Sequence, residues 1–326
     1  PMQRAAAPRT RHEDALATSR GIAGFATTFA KLKPHWVVVL GDRIEAFAAA
    51  AASSIAGIPL CHIHGGDRAE GIADEAMRHA ITKLAHIHFA ATASSALRII
   101  RMGEPAERVH QVGSPAIDGL EHVEPMPDDG ARELGDPRVV LLLHPAGLAP
   151  DAERATARRV CEAIVQHRQG RSGVLVLSPN HDPGRGIITE VFTMFTESNA
   201  WRQVDHLPRA TFLSLLKRLS VTSPTTQGVL VGNSSAGLIE AAALRVPVVN
   251  IGPRQAGRER GGNVLECPDP NRSNLGSLLA RAGAMTTDDV PASHPYGDGA
   301  ASRRIADLLA GVDLADEKLI RKRNSY

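Results

Sequence analysis

The stretch VGNSSAGLIEAAALRVPVVNIGPRQAGR, residues 231–258, predicts one repeating step of a parallel α/β sheet. An Asn-Ser-Ser turn follows the apolar run 228–231, and a helix is expected over 236–244. The β-branched run 246–252 then predicts the next strand. A turn that enters a helix presents backbone N–H groups and a positive dipole end, which suit phosphate. We therefore interpret this stretch as a site for a nucleotide diphosphate.

Five side chains of the stretch fit that interpretation. Ser234 and Ser235 can add hydroxyl donors, and Glu240 can accept hydrogen bonds from the two hydroxyls of a ribose. Arg254 and Arg258 follow the next strand in a glycine-rich loop, where guanidinium groups suit phosphate oxygens. Each half also has a simpler explanation, namely an ordinary helix cap and a solvated basic loop. Their occurrence together favours nucleotide binding.

Composition excludes several other classes of protein. The chain has 326 residues, is 43% hydrophobic and 22% charged, and carries a net charge of +2, which is typical of a soluble globular protein. The charge balance and the low aromatic content give no support for nucleic-acid binding. The three cysteines form no CxxC or Cys/His cluster, which fits a reducing cytosol. No apolar run reaches about 18 residues, so we expect no membrane span and a cytoplasmic protein.

Strand and helix patterns alternate along the chain in two blocks, over 37–112 and 138–252. The predicted strands lie within 37–40, 58–66, 88–92 and 108–112 in the first block, and within 138–145, 173–180, 228–235 and 246–252 in the second. Residues 122–137, rich in Pro, Asp and Glu, separate the blocks as a linker. We predict an α/β protein with the following parts: an N-terminal Rossmann-like domain at 1–122, a linker at 123–137, a C-terminal nucleotide-binding Rossmann-like domain at 138–303, and a closing helix and tail at 304–326.

Polar side chains collect where predicted strands end, which is where ligands bind in open α/β folds. These are Asp42, Arg43, His64, His144 and Asn180. Turn chemistry and local ion pairs explain some such residues in any protein. The His62-x-His64 spacing also suggests a metal, but no third ligand is evident and a helical HExxH is absent, so no metal site is predicted.

Seven motifs carry a resemblance to a known family: VLGDRIE, HIHGGD, DEAMRHAITKLAH, LLHP, PNHDPG, GNSSAGLIEA and NIGPRQAGR. Together they resemble the UDP-N-acetylglucosamine 2-epimerase family, and most closely its hydrolysing branch in sialic and nonulosonic acid biosynthesis. The resemblance runs from about residue 20 to 312, with the motifs in the family's order. GNSSxGxxEA followed by GxRQxGR is the most specific pair.

The resemblance implies a GT-B fold, in which two Rossmann-like domains flank a central cleft, and a homodimer without metal or redox cofactor. Carried over by motif, Ser234, Ser235, Glu240 and Arg254 match UDP-binding positions. Arg43, His144 and Asn180 match positions near the diphosphate and the sugar, and Asp42 and Asp74 match the catalytic carboxylates.

The implied chemistry gives these groups a use. Removal of the weakly acidic sugar C2 proton needs a positioned base, and departure of UDP from C1 needs stabilisation of the charge on its phosphate. Elimination gives a 2-acetamidoglucal, and addition of water gives the 2-epimer and free UDP. We hypothesise that Asp42, Asp74 and His64 form the acid/base set. Arg43, His144, Arg254 and the serine turn would hold the diphosphate.

The chain also departs from the family pattern. Its first 20 or so residues match no family motif, and we expect about 60 residues, or about two βα units, to be absent before them. His64 stands where many relatives carry a glutamate, and Ala236 where a third serine is common.

Four functions therefore compete on sequence grounds. The first is a hydrolysing 2-epimerase that converts UDP-GlcNAc and water to ManNAc and UDP, with a UDP-diacetamido-trideoxyhexose as the alternative substrate. The others are a non-hydrolysing epimerase, a GT-B glycosyltransferase, and a catalytically impaired UDP-sugar-binding protein. The glycosyltransferase would leave Asp42, His64 and Asp74 without an evident role.

Overall fold

A computed structural model describes residues 10–70, 74–169, 172–313, 319 and 321–322 of the chain. The chain divides into two compact α/β units, each with its own parallel sheet. Unit 1 comprises residues 1–118 and 295–326, and unit 2 comprises Gly119–His294. The predicted α/β class with parallel strands is confirmed.

Unit 1 is built on a four-stranded sheet in the order β1-β2-β3-β4, with every neighbouring pair parallel. Its helices and strands up to the last strand of the sheet are α1 (Arg11–Leu32), β1 (Val37–Leu40), α2 (Ile44–Ile55), β2 (Leu60–Ile63), α3 (Asp74–Leu84), β3 (Ile87–Ala90), α4 (Ala93–Arg101) and β4 (Val109–Gln111). A capping box begins α1, because the Thr10 hydroxyl accepts from the Glu13 N–H and the Glu13 carboxylate accepts from the Thr10 N–H.

Unit 2 holds a six-stranded parallel sheet in the order β10-β9-β8-β5-β6-β7. Its elements are α5 (Asp128–Glu133), β5 (Val139–Leu142), α6 (Pro150–Arg168), β6 (Val174–Leu177), α7 (Arg185–Asn199), β7 (Arg202–Val204), α8 (Arg209–Arg218), β8 (Val229–Gly232), α9 (Glu240–Ala243), β9 (Val248–Ile251), β10 (Val264–Cys267) and α10 (Leu275–Gly283). The final helix, α11 (Ala301–Ala310), belongs to unit 1.

Apolar side chains pack on both faces of the unit 1 sheet. On one face Val37 and Val39 of β1 pack with residues of α2 and α3 and with Phe25 and Phe29 of α1. On the other, Phe89 of β3 belongs to a cluster that includes side chains of α11. The second face is open at β1, where Val38 and Leu40 are exposed. The polar residues lie at the ends of the strands, where ligands bind in open α/β folds.

The core of unit 2 is larger and lies around its central strands. Buried residues of β5, β6, β8 and β9 pack against α6, α7 and α10 in one cluster. The strands read as continuous apolar runs because parallel strands are buried on both faces. This core fixes the carboxyl ends of β5, β6 and β8 beside one another.

Several local features differ from the sequence-based expectation. The predicted linker contains α5, whose Ala131 is buried. The helix expected over 236–244 is divided into a 3-10 turn, Ser235–Gly237, and the four-residue α9. Gly237 packs against Val248, where an added Cβ would lie 3.1 Å from Val248 Cγ1, so this turn is set by its contact with β9.

Candidate functional site

A single asparagine joins the ends of two central strands of unit 2. The Oδ1 atom of Asn233, after β8, accepts from the backbone N–H of His144 at 2.7 Å, and its Nδ2 donates to the His144 carbonyl at 2.8 Å. Asn233 is 3% exposed, so these bonds are shielded from water. The asparagine of the GNSS motif therefore fixes the HPAG loop that follows β5.

The two hydrogen bonds from Asn233 hold the backbone of His144, and a third hydrogen bond orients its ring. Its Nδ1 accepts a hydrogen bond of 3.1 Å from the backbone N–H of Asn180, in the loop after β6. An Nδ1 that accepts carries no proton, so the proton of the neutral ring lies on Nε2. His144 thus presents an N–H donor at the carboxyl ends of these strands.

Two side chains from the turn Pro253–Gln255, which follows β9, converge on the same asparagine. Arg254 Nη1 and Gln255 Nε2 each donate to the Asn233 carbonyl at 3.0 Å. Arg254 is 9% exposed, and its Nη2 lies 3.9 Å from Asp182 Oδ2. Arg258 reaches the site indirectly, because its Nη1 donates to Gln255 Oε1 at 3.0 Å. The predicted arginine loop therefore meets the predicted serine turn.

The serine turn begins with Ser234, which caps the 3-10 turn by accepting from the Ala236 N–H. Ser235 is the first residue of that turn, and both serines are half-buried. Glu240 begins α9 and is 9% exposed. Its Oε1 pairs with Nη1 of Arg209 at 3.1 Å. Sequence reasoning missed Arg209, whose only signal is its place at the start of an amphipathic helix.

A cavity of about 680 Å³ opens at these strand ends within unit 2. Polar lining includes His144, Asn180 and Ser234, and apolar lining includes Leu207 and Phe212. The Oδ1 atom of Asn180 is buried with no hydrogen-bond partner among the described residues. A buried acceptor without a partner is costly, so a ligand donor at this position would be stabilised. The volume suits a nucleotide-sized ligand.

In unit 1, the carboxylate of Asp42 forms an ion pair with Arg78, which is 1% exposed. Arg78 Nη1 also donates to Glu75 Oε2 and to the Asp67 carbonyl, both at 3.0 Å. Burial acts to raise the pKa of Glu75, but hydrogen bonds from His79 and from the Ala69 N–H leave it below its usual range. Arg78 therefore holds Asp42 in one orientation while it ties α3 to the loop before it.

The turn that carries Asp42 is held from the neighbouring strand. His62 of β2 is fully buried, and its Nε2 lies 2.8 Å from the Gly41 carbonyl. Burial lowers the pKa of His62 to about 3, so the ring is neutral and donates to that carbonyl. Of the two histidines in the His62-x-His64 pair, His62 is therefore the one that supports the turn carrying Asp42.

His64, the other member, connects the loop after β2 with the segment after β4. Its Nδ1 lies 2.8 Å from Asp67 Oδ2, and its Nε2 lies 2.9 Å from Ser114 Oγ. Asp67 Oδ1 in turn accepts from the Ser95 hydroxyl at 2.8 Å. The backbone of His64 is left-handed, with φ 63°, a conformation that costs a non-glycine residue about 1–2 kcal/mol. The hydrogen bonds of the ring compensate for that strain.

The remaining predicted residues lie at helix starts. Arg43 is the N-terminal cap residue of α2. Asp74 is the first residue of α3, and its side chain lies outside the part that the structure describes. Besides Arg209, sequence reasoning left Asp67, Arg78 and Ser114 out of the site.

Two further properties bear on the kind of site. The described residues contain no group of three or more His, Cys, Asp or Glu that could bind a metal ion. Among the helices in the described ranges, none combines the length and apolar character that crossing a membrane requires.

The chain matches known proteins over almost its full length. Residues 6–310 match the family model described as UDP-N-acetylglucosamine 2-epimerase. The chain is 35% identical over 317 residues to UDP-N,N'-diacetylbacillosamine 2-epimerase (hydrolyzing) of Legionella pneumophila, covering 96% of this chain and 80% of that protein. It is 32% identical over 266 residues to polysialic acid biosynthesis protein P7 of Escherichia coli, covering 80% of this chain and 66% of that one.

A solved structure extends the similarity to the fold. UDP-GlcNAc 2-epimerase of Methanocaldococcus jannaschii, in complex with UDP-GlcNAc and UDP, superposes with a TM-score of 0.75 at 18% identity. The match covers 91% of this chain and 81% of that one. The predicted GT-B fold class is confirmed.

Proposed function

The chain belongs to the UDP-N-acetylglucosamine 2-epimerase family, and from that premise we propose that it is a hydrolysing 2-epimerase of a UDP-linked 2-acetamido sugar. The observation that carries the proposal is the convergence in unit 2 of His144, Asn180, Ser234 and Arg254 at the ends of neighbouring strands. These groups offer donors and positive charge to a diphosphate beside a cavity of nucleotide size.

Unit 2 binds the nucleotide in this proposal. Arg254, Arg258 and the turn at Ser234 and Ser235 bind the diphosphate, with the His144 Nε2–H as a further donor. Glu240 accepts from the ribose hydroxyls, and Asn180 binds near the sugar. By its motif, Arg43 is a further candidate for contact with the phosphates. Donors fixed by the fold before substrate arrives stabilise the developing charge on UDP without reorganisation.

The reaction begins with loss of the C2 proton to a base, and Asp42 belongs to the acid/base set. The C2–H electrons form the C1=C2 double bond, the C1–O bond breaks, and its electron pair leaves with the β-phosphate of UDP. Water then adds its oxygen to C1, while an acid returns a proton to C2 on the opposite face. The products are the free 2-epimeric sugar and UDP, and no cofactor enters the balance.

Asp74 and His64 complete the proposed acid/base set. Both ring nitrogens of His64 contact protein, Nδ1 to Asp67 and Nε2 to Ser114. A proton therefore enters or leaves this ring only as one of those bonds is exchanged. Ser114 is fully buried, so it acts through His64 rather than on the sugar directly.

The sugar has two candidates. UDP-GlcNAc is the substrate expected from the motifs. UDP-N,N'-diacetylbacillosamine is the second candidate, and the Legionella relative, named for that activity and 35% identical, supports it. Both sugars carry the 2-acetamido group and the C2 proton on which the chemistry depends.

One assay tests the function and the sugar together. Each UDP-sugar is incubated with the protein, UDP is measured by chromatography, and the sugar by proton NMR. A free 2-epimer with an equal amount of UDP supports hydrolysing epimerisation and identifies the preferred substrate. A UDP-linked 2-epimer contradicts the hydrolytic step. Binding of UDP without turnover indicates a UDP-sugar-binding protein instead.

An Asp42→Asn variant separates binding from chemistry in the same assay. The amide can still bond to Arg78 but cannot accept the C2 proton. We expect UDP affinity to be retained and turnover to fall about 10²–10⁴-fold, the usual contribution of a positioned acid or base. Wild-type turnover in this variant would exclude Asp42 from the acid/base set.

We also infer a homodimer, on the family resemblance alone, and a cytoplasmic location, on the cysteine pattern and hydropathy of the sequence. Sedimentation velocity of the purified chain tests the assembly. A species of about twice the chain mass of 34.6 kDa supports the dimer, and a single species of the chain mass contradicts it.

A further inference from the structure

The ion pair between Arg209 and Glu240 connects two helix starts beside the unit 2 cavity. Arg209 is the first residue of α8 and lines the cavity, and Glu240 is the first residue of α9. Arg209 Nη1 lies 3.1 Å from Glu240 Oε1. Ser234 and Ala236, which also line the cavity, lie in the turn that precedes α9, whereas Glu240 is not itself a lining residue. The pair therefore lies at the border of the cavity rather than on a distant surface.

The two partners differ in their environment. The Glu240 side chain is 12% exposed, whereas the Arg209 side chain is 54% exposed. A carboxylate has about four acceptor positions, and Arg209 Nη1 uses one of them at Oε1. Accepting positions therefore remain on a nearly buried carboxylate whose orientation the guanidinium restricts.

Charge gives the pair a second effect. A bare carboxylate beside a diphosphate would repel the ligand, because both carry negative charge and burial reduces screening. The guanidinium of Arg209 offsets the charge of Glu240 while it leaves the oxygens able to accept hydrogen bonds. This combination suits recognition of neutral hydroxyls close to an anion.

We propose that Arg209 is a positioning residue that holds the Glu240 carboxylate for the 2'- and 3'-hydroxyls of a ribose, and so makes unit 2 select ribonucleoside over 2'-deoxyribonucleoside diphosphates. The inference rests on the proposed function, in which unit 2 binds UDP and Glu240 accepts from the ribose. It adds a residue outside the recognised motifs and a selectivity that depends on that residue.

An ordinary ion pair, or an arginine that only attracts phosphate, behaves differently. Either would change the affinity for both nucleotides by the same factor, since the diphosphate is common to them. A positioning role changes the ratio of the two affinities, because only the ribonucleotide has the 2'-hydroxyl. The ratio therefore separates the explanations without reference to turnover.

The test measures Kd by calorimetry for UDP and for 2'-deoxy-UDP with the full chain. We expect the wild type to prefer UDP by about tenfold or more, as one hydrogen bond to a charged group provides. Arg209→Ala should reduce the preference to less than about threefold, a loss that exceeds the usual scatter of neutral surface changes. Glu240→Gln should do the same, and the double variant should lose no more than either single variant.

Arg154→Ala is the matched control. Arg154 forms an exposed ion pair with Glu190 at 2.9 Å in the same unit, and neither residue lines the cavity. Its removal should leave both Kd values unchanged. Arg209→Lys should give a preference between those of the wild type and Arg209→Ala, because the ammonium keeps the charge without the planar fork. Thermal melting confirms that every variant is folded.

Three results would overturn the inference. In the first, Arg209→Ala weakens both nucleotides equally and keeps the wild-type ratio. In the second, the wild type binds both nucleotides with the same Kd, which leaves the proposed function standing and removes only the ribose selectivity. In the third, the wild type binds neither nucleotide, which removes the proposed function as well.

Discussion

The Nδ1 atom of His144 accepts a hydrogen bond from the backbone N–H of Asn180 over 3.1 Å, so that the ring presents its proton on Nε2. Two loops at the ends of β5 and β6 thereby set the tautomer of one side chain. Two hydrogen bonds from the Asn233 side chain hold the backbone of His144 in place at the same time. In the proposed reaction this N–H donates to the departing diphosphate.

The first prediction concerns His144→Asn. The Oδ1 atom of asparagine can replace Nδ1 as the acceptor for Asn180, but the variant has no donor at the position of Nε2. We expect kcat/KM to fall about 10²–10³-fold, as for loss of one preorganised donor, with little change in melting temperature. Steady-state release of UDP measures the effect. Activity within about twofold of the wild type would contradict the role of Nε2, since a lost donor at a transition state costs far more.

Arg78 provides the second prediction. Its removal leaves Asp42 and Glu75 without a buried cation, and breaking a buried pair in this way costs about 3–5 kcal/mol. We expect Arg78→Ala to lower the free energy of unfolding of unit 1 by that amount. Arg68→Ala is the control, because Arg68 pairs with Glu70 where both are exposed, and exposed pairs contribute about 0–1 kcal/mol. Equal effects of the two variants in urea denaturation would show that Arg78 has no special part.

A third prediction concerns Gly232 at the end of β8. Its φ is 148°, and an added Cβ would overlap the Leu142 carbonyl oxygen, which is backbone and cannot move aside alone. Gly232→Ala should therefore separate β8 from β5 and unfold unit 2 or lower its melting temperature by more than 10 °C, on the basis of about 2–4 °C per kcal/mol. Gly252→Ala is the control for backbone strain without a steric clash. The φ of Gly252 is 70°, and an added Cβ would have no atom within 4 Å apart from its chain neighbours. A Gly232→Ala protein as stable as Gly252→Ala would refute the packing argument.

The fourth prediction is a dependence of stability on pH. Burial lowers the pKa of His62 from 6.5 to about 3, so between those values the unfolded chain binds more protons than the folded one. The contribution of His62 to the stability of unit 1 is therefore fully present above about pH 6.5. It is lost as the pH falls toward 3, by up to about 1.4 kcal/mol per pH unit. The pKa of His88 is also lowered by burial, which acts in the same direction.

Fluorescence can isolate this effect. The chain has two tryptophans, Trp36 in unit 1 and Trp201 in unit 2, so a Trp201→Phe background reports on unit 1 alone. His62→Gln keeps a donor for the Gly41 carbonyl but does not titrate. Its unfolding free energy should fall less steeply between pH 6.5 and pH 3 than that of the parent. Identical slopes would show that His62 does not titrate as its burial requires.

The sequence predicted every strand of the unit 1 sheet and the central strands of the unit 2 sheet, but it did not predict the two edge strands of unit 2. In unit 2 the two strands that were not predicted, β7 and β10, are the two edge strands. A central parallel strand is buried on both faces and reads as an unbroken apolar run, whereas Arg202–Val204 carries exposed or half-buried side chains. An edge strand is specified by its neighbour rather than by its own composition.

The predicted site residues show a similar limit. Motifs placed Ser234, His144 and Arg254 at strand ends, and the structure brings them together around Asn233. Asp67 was left out although it lies three residues after His64, its ion-pair partner. Arg78 was left out because its ion pair with Asp42 joins separate segments and has no local spacing to reveal it. The pairing of Glu240 with Arg209 was missed for the same reason, since 31 residues separate them.

The central claim is that UDP leaves by elimination after the C2 proton is lost. We would run the reaction in D2O with each UDP-sugar, and in a parallel sample in water enriched in oxygen-18. The account predicts a free 2-epimer with deuterium at C2, seen as loss of the H2 proton signal, and UDP whose phosphorus signals show no oxygen-18 shift. A released sugar that keeps its C2 proton and configuration, or UDP that carries oxygen-18 from cleavage at phosphorus, would contradict the account.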